Sequence, residues 1–240
     1  MAYKSLQVIV SYYSERPAAP LQRLLGQLTL AGVSPLVVVN QARSVAWQSL
    51  TELRKCRVLE RANTGMNIGA WLHGIRLIRA QAYVCLQDEC FMQTSQALEA
   101  YENLIQQHPR VGLWGETLNT RWAHPWKALT EEGHSAADAE LRSRAALYAR
   151  KLAHYGLPMA TTAVHLRSLV WGFDQQTAAL LQQLPDGHTK HDCIALEIGA
   201  SQLVMSKGRK IAQTAREPFT YFGHSEWRQD GLSKEPSYAA

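Results

Sequence analysis

Leu86-Gln-Asp-Glu-Cys-Phe91 places two adjacent carboxylates, Asp88 and Glu89, directly after a short apolar run. Side by side they repel unless water or a cation lies between them, and hard oxygen ligands suit Mg²⁺ or Mn²⁺, which in turn hold a diphosphate. A solvated loop start is the plainer alternative. Asn63-Thr-Gly-Met-Asn-Ile-Gly69 is a compact Asn/Gly loop opening a helix, where glycine permits close backbone approach and a helix N-terminus favours an anion. An ordinary turn and cap would read the same way. Asp192, in Lys190-His-Asp-Cys, starts another helix and is either its N-cap or a general base. His224 lies in an aromatic tail, Phe219-Thr-Tyr-Phe-Gly-His-Ser-Glu-Trp227, and could complete a metal site or meet phosphate.

The elements that must position these residues alternate. Gln7 to Tyr12 reads as a strand, and Leu21, Leu24, Leu25 and Leu28 recur at helical spacing up to Gly32. Pro35 to Asn40 is a continuous apolar strand, Arg43 to Lys55 a weaker helix and Cys56 to Leu59 a short strand. The pattern predicts a helix over Ala70 to Arg79, a strand over Tyr83 to Leu86, a helix over Ser95 to Gln107 and a strand over Val111 to Trp114. Such alternation implies an α/β fold, a mostly parallel central sheet flanked by helices, with ligands beyond the carboxyl ends of its strands. Beyond it, Thr120 to His134 reads as a long loop and Ala136 to Tyr155 as a helix with interspersed Arg142, Arg144, Arg150 and Lys151. A strand over Ala160 to His165, a helix over Asp192 to Met205 and a strand over Lys210 to Thr214 complete the pattern. One domain over 1–240 is the simplest account, with halves meeting near residue 118.

Composition narrows the function. The chain has 240 residues, 46% of them hydrophobic, and 25 Lys and Arg against 20 Asp and Glu, for a net charge of +5. That is a globular composition with room for a sizeable core. No apolar run approaches the roughly 18 residues a bilayer requires. The first ten residues read as a strand rather than a signal peptide. Four cysteines without CxxC spacing suggest reduced thiols and a cytoplasmic protein. The mild basic excess forms no cluster, so nucleic acid is not the expected partner. No GxSxG, HExxH or P-loop pattern occurs.

In order along the chain, these segments resemble family 2 glycosyltransferases of the GT-A (Rossmann-like) fold. Val8-Ile-Val-Ser-Tyr-Tyr-Ser14 is similar to their opening strand and its nucleotide-binding turn. Asn63 to Gly74 is similar to their Asn/Gly-rich segment. Leu86 to Cys90 falls at the position of their Asp-x-Asp strand end, with Gln87-Asp-Glu-Cys90 in its place. Leu166 to Asp174 resembles the Gly-Gly-Phe-Asp stretch near the acceptor, and His191-Asp192 the Glu-Asp base motif. The resemblance implies a nucleoside-diphosphate-sugar donor bound through Tyr12, Ser14, Glu15, Asn40, Asn63, Gly65, Asn67, Gly69 and Asp88 in residues 1–118. It implies a divalent cation, Mn²⁺ or Mg²⁺, on Asp88, Glu89 and His224. Asp192 would deprotonate a glycan or lipid-linked acceptor in residues 119–240, giving inversion at the anomeric carbon in cell-surface polysaccharide or glycolipid synthesis. The basic 136–155 helix would then suit peripheral contact with the inner membrane face. A sugar nucleotidyltransferase would carry a Gly-rich loop where this chain has Tyr13-Ser-Glu-Arg-Pro17. A non-catalytic module of the same fold, binding glycan or protein, is the alternative.

Overall fold

The computed structural model describes residues 6–131 and 138–227. Its strands and helices, in chain order, are β1 (Leu6–Tyr13), α1 (Ala18–Leu30), β2 (Leu36–Asn40), β3 (Arg57–Arg61), α2 (Met66–Leu77), β4 (Ala82–Gln87), β5 (Cys90–Met92), α3 (Ala97–Gln107) and β6 (Val111–Gly115). They continue with α4 (Trp126–Thr130), α5 (Ala139–His154), β7 (Val170–Asp174), α6 (Gln175–Leu181), α7 (Lys190–Ser206), β8 (Lys210–Gln213) and β9 (Phe222–His224).

Seven strands form one sheet in the order β3-β2-β1-β4-β7-β6-β8, and β5 pairs with β9 in a second, two-stranded sheet. The large sheet is parallel except for β7, which runs antiparallel to both β4 and β6. Period-two alternation assigns each strand side chain to a face. Val8, Val10 and Tyr12 of β1 join Val37, Val39, Val84 and Leu86 against the Leu21, Leu24, Leu25 and Leu28 stripe of α1. Ile9, Leu36, Val38 and Cys85 face the other way, onto Ile68, Trp71, Leu72 and Ile75 of α2 and Leu196 and Leu203 of α7. Each fully buried leucine of the α1 stripe contributes about 1.5–3 kcal/mol of burial. A third cluster packs α4, α5 and α7 around Trp122, Trp126 and Tyr148. Among the described residues no helix is long and apolar enough to cross a membrane.

Several expectations from the sequence need correction. Arg43 to Lys55 forms two short 3₁₀ turns, Ala46–Ser49 and Thr51–Lys55, because Trp47 alone of that stretch is fully buried, with Leu50 and Leu53 only partly covered by the core. The helix expected from Ala70 starts at Met66, so Asn67 and Gly69 belong to its first turn. The loop expected over Thr120 to His134 contains a 3₁₀ turn, Thr120–Trp122, and α4, both anchored by tryptophan; residues 132–134 of it, like 136–137 of the predicted helix, lie outside the described residues. Ala160 to His165 makes no strand beyond an isolated bridge, Pro125 to Thr162. Strand β7 was not foreseen, since Val-Trp-Gly-Phe is a short apolar run with no alternation to read.

Strand β1 pairs with β2 on one side and β4 on the other, so the direction of winding reverses between β1 and β4. The crevice outside the carboxyl ends of those strands is where sheets of this kind receive a ligand.

Candidate active site

A cleft of about 360 Å³ opens at that switch point. Its walls are Ser11, Tyr12 and Tyr13 from the end of β1, Arg16 from the turn that follows, Asn40 from β2 and Gln87 and Asp88 from β4. Asn63, Met66 and Asn67 close it from the α2 side. Helix α2 also fixes the β4 end directly, because the Trp71 indole N–H donates to Leu86 O at 3.1 Å. Asp88 is held at its backbone by a hydrogen bond from its N–H to Ser11 O, 3.0 Å. Asp88 is only 4% exposed, and its buried Oδ2 has no hydrogen-bond partner among the described residues. Burial accordingly pushes its carboxyl up to about 7.

Beside Asp88 lies the two-stranded sheet. The register sets Cys90 opposite His224, and Ser225 donates to Glu89 O through both its N–H (3.0 Å) and its hydroxyl (2.9 Å). This brings Glu89, His224 and Glu226 together, with ligand atoms all within 4.8 Å of one another. Glu226 escaped sequence reasoning, because nothing in a C-terminal aromatic tail marks its pairing with β5. Burial, a hydrogen bond with Glu226 and the Asp88 charge push Glu89 up to about 8, against the pull of Arg16. Arg16 is ion-paired to Glu89 Oε2 through Nη1. Burial alone would weaken its charge. The carboxylates of Glu89, Asp88 and Glu226 outweigh that and raise its pKa.

Three acidic or imidazole ligands, with the unpartnered Asp88 oxygen alongside, suit a hard divalent cation. The expected set of Asp88, Glu89 and His224 is thus redrawn: Glu89, His224 and Glu226 converge, and Asp88 faces the cleft beside them.

The donor-binding candidates divide. Tyr12, Asn40, Asn63, Asn67 and Asp88 line the cleft. Ser14, Glu15, Gly65 and Gly69 do not. Ser14 is buried, with its hydroxyl donating to Gln41 O and its N–H to Asn40 O, so it ties β1 to β2. Glu15 is exposed on the turn. Gly65 adopts φ +74° as the N-cap of α2, and its N–H donates to Gly187 O at 2.7 Å. A side chain at Gly69 would overlap the Thr64 carbonyl oxygen. These two glycines shape the loop. Asn40 and Asn67 carry double duty: Asn40 donates to Met66 O at 3.0 Å, and Asn67 to Ser168 O at 2.6 Å. Arg16, Met66 and Gln87 join the site without having been singled out; their signal, adjacency to a strand end or an Asn/Gly loop, is too general.

Asp192 is absent from the cleft lining. It occupies N3 of α7 in a capping box with Thr189. Its carboxylate accepts from Lys151 Nζ at 2.6 Å, from Thr189 N and Oγ1 at 2.8 Å each, and from His188 N at 3.2 Å. The Lys151 ion pair, with the Thr189 bonds, holds its pKa well below the usual carboxylate range. A carboxylate so saturated is a weak proton acceptor, and the geometry supports the cap rather than the base. Asp174, placed by the resemblance near an acceptor, sits opposite Ala82, at the strand ends away from the cleft, capping α6 and paired with Arg209. Within the same stretch, only the segment around Ser168 and Leu169 reaches the cleft side, where Leu169 O accepts from Gln87 N.

No family model matches the chain, and no curated protein matches it in sequence. Solved structures do. The mannosyltransferase PcManGT from Pyrobaculum calidifontis, in complex with GDP-Man and Mn²⁺, superposes with a TM-score of 0.53 at 13% identity over 88% of this chain and 55% of that one. Glucosyl-3-phosphoglycerate synthase from Mycobacterium tuberculosis, in complex with Mn²⁺, UDP and glucosyl-3-phosphoglycerate, gives 0.50 at 12% identity, over 88% of this chain and 70% of that one. The chain therefore spans little more than half of the mannosyltransferase. At such identities the likeness defines the fold, and that fold is GT-A-like: a mostly parallel α/β sheet flanked by helices.

Proposed function

We propose that the chain transfers a glycosyl group from a nucleoside-diphosphate-sugar to a hydroxyl acceptor. One observation carries this reading: an unpartnered buried carboxylate oxygen of Asp88 faces a strand-end cleft, beside the converging Glu89, His224 and Glu226. The mannosyltransferase and the synthase of like fold were solved with Mn²⁺ and a guanosine- or uridine-diphosphate ligand, which favours a donor of that class here. A divalent cation on Glu89, His224 and Glu226 would neutralise charge on the leaving diphosphate. The chain's own part is to seat the nucleotide between Tyr13 and the Asn63–Asn67 loop, and to aim the diphosphate at Asp88 and Arg16. The acceptor hydroxyl oxygen then bonds to the anomeric carbon as the bond to the diphosphate breaks, with inversion, and the hydroxyl proton passes to water. Residues 1–118 would supply most of the donor site and residues 119–240 the acceptor side, with a glycan or lipid-linked hydroxyl as the acceptor.

A thermal-shift screen of UDP-, GDP- and dTDP-sugars with and without Mn²⁺ tests the reading. A true donor at about 100 times its Kd adds about 2.7 kcal/mol, a shift of several degrees, and product NMR reports the anomeric configuration. No shift with any donor sinks it. The second reading, a binding module without turnover, is favoured by the saturated Asp192 carboxylate; it predicts donor binding with neither transfer nor hydrolysis.

A further inference from the structure

Arg16 and a divalent cation have a claim on the same atoms. Glu89 Oε2, which receives Arg16 Nη1, belongs to the carboxylate that converges with His224 and Glu226. Glu89 is buried, with its side chain 9% exposed, whereas the Arg16 side chain is 38% exposed and can turn outward. Arg16 also lines the cleft with Asp88, whose buried Oδ2 has no hydrogen-bond partner among the described residues, so a second carboxyl stands beside the shared one. Beyond the Glu89 contact, no side-chain hydrogen bond of Arg16 is seen among the described residues, and its backbone is held separately by Tyr12 Oη donating to Arg16 O at 2.7 Å.

We propose that Arg16 is an exchangeable counter-charge: it sits on Glu89 while the site is empty, leaves when a divalent cation binds there, and then pairs with a phosphate oxygen of the nucleoside diphosphate. The proposal rests on the donor reading above. Arg16 is well made for this exchange, because its fork geometry matches a carboxylate and a phosphate equally. Its pair with Glu89 opposes cation binding until the cation wins Glu89. The freed positive charge then stands in the cleft facing the diphosphate. Cation and nucleotide would therefore bind with positive coupling, and the coupling would run through one side chain.

Two affinities separate this from a merely structural Arg16. Mn²⁺ alone, titrated against the full chain and followed by the electron-paramagnetic-resonance signal of the free ion, should bind Arg16→Gln about three- to tenfold more tightly than wild type, because a competing positive charge has gone. UDP, GDP and dTDP, titrated calorimetrically at saturating Mn²⁺, should include one that binds wild type and binds Arg16→Gln at least severalfold more weakly. Glu89→Gln is the control for the shared ligand and should weaken Mn²⁺. Unchanged or weaker Mn²⁺ binding by a folded Arg16→Gln overturns the exchange. Equal nucleotide binding by wild type and Arg16→Gln overturns the phosphate role while leaving the transferase reading standing. If no nucleotide binds wild type but Arg16→Gln still tightens Mn²⁺, the transferase reading falls and the exchange at Glu89 holds.

Discussion

Gln87, which lines the cleft, and the buried His224 hold each other, with Gln87 Oε1 and His224 Nε2 3.2 Å apart. The orientation of the Gln87 amide is settled by its other end, where Nε2 donates to Ser168 O at 2.7 Å. Oε1 must therefore accept, and His224 carries its proton on Nε2, while Nδ1 accepts from Glu226 N–H at 3.2 Å. Gln87 thus fixes the tautomer and ring plane and leaves Nδ1 as the nitrogen a cation would take, in place of the Glu226 N–H, with Gln87 in the orienting role that outer groups commonly play around metal-binding imidazoles. Replacing Gln87 by Leu should lower Mn²⁺ affinity about tenfold with the fold intact. Calorimetric titration of Mn²⁺ checks it, and unchanged affinity would remove Gln87 from the site.

Glu226 has no sequence signal but completes the cluster, so Glu226→Gln should weaken Mn²⁺ binding about three- to tenfold, as expected for the loss of one charged oxygen ligand at an exposed rim. The same variant should leave the thermal midpoint of the ligand-free protein within a degree or two. A large stability change with unaltered Mn²⁺ binding would contradict the assignment.

The carboxyls of Asp88 and Glu89 are raised to about 7 and about 8. A raised acid keeps its proton in the folded state after the unfolded chain has released it. Folding is therefore favoured most by these groups at low pH, and stability falls as pH climbs from about 4 through 7 and 8. Melts between about pH 5 and pH 8 should show that decline, and Asp88→Asn should flatten it, gaining on the order of 1 kcal/mol at the upper end. A steeper decline in the variant would reverse the sign and refute the argument.

Asp192 behaves in the opposite sense. Its depressed pKa stabilises the fold above the ordinary carboxylate range, and that contribution disappears as pH falls below about 4. Asp192→Ala also removes the capping box, and should cost about 1–2 kcal/mol at neutral pH. Donor binding should persist at a temperature where the variant is folded. If turnover instead collapses with the melting midpoint unchanged, Asp192 is a base after all.

At Gly69 a side chain would collide with the Thr64 carbonyl, and at Gly65 the backbone sits at φ +74°. Gly69→Ala should therefore force the Asn63–Asn67 loop to move and cost several kcal/mol, against roughly 1–2 kcal/mol for Gly65→Ala. Denaturant melts rank the two, and the order is the test.

The parallel strands were readable because Val37, Val38 and Val39, or Val84, Cys85 and Leu86, are apolar on both faces, which only a sheet covered on both sides requires. The strand-end location of Asp88 followed from that. What stayed hidden depends on partners remote in sequence. A three-residue strand such as Phe222–His224 has no periodicity, and its identity comes entirely from pairing with Cys90–Met92. The same holds for Asp192: cap and base look alike until Lys151 is seen on the carboxylate. Arg16 was hidden for a related reason, since a surface-turn arginine gains its meaning only from Glu89, 73 residues away.

The small sheet has a consequence for how the protein comes into being. Ser225 meets Glu89 across 136 residues, so contacts remote in sequence bring Glu89, His224 and Glu226 together. During synthesis on the ribosome, the seven strands of the main sheet leave the tunnel before His224 and Glu226 do. A nascent chain can thus shape the cleft while Glu89 still lacks the two side chains that converge on it.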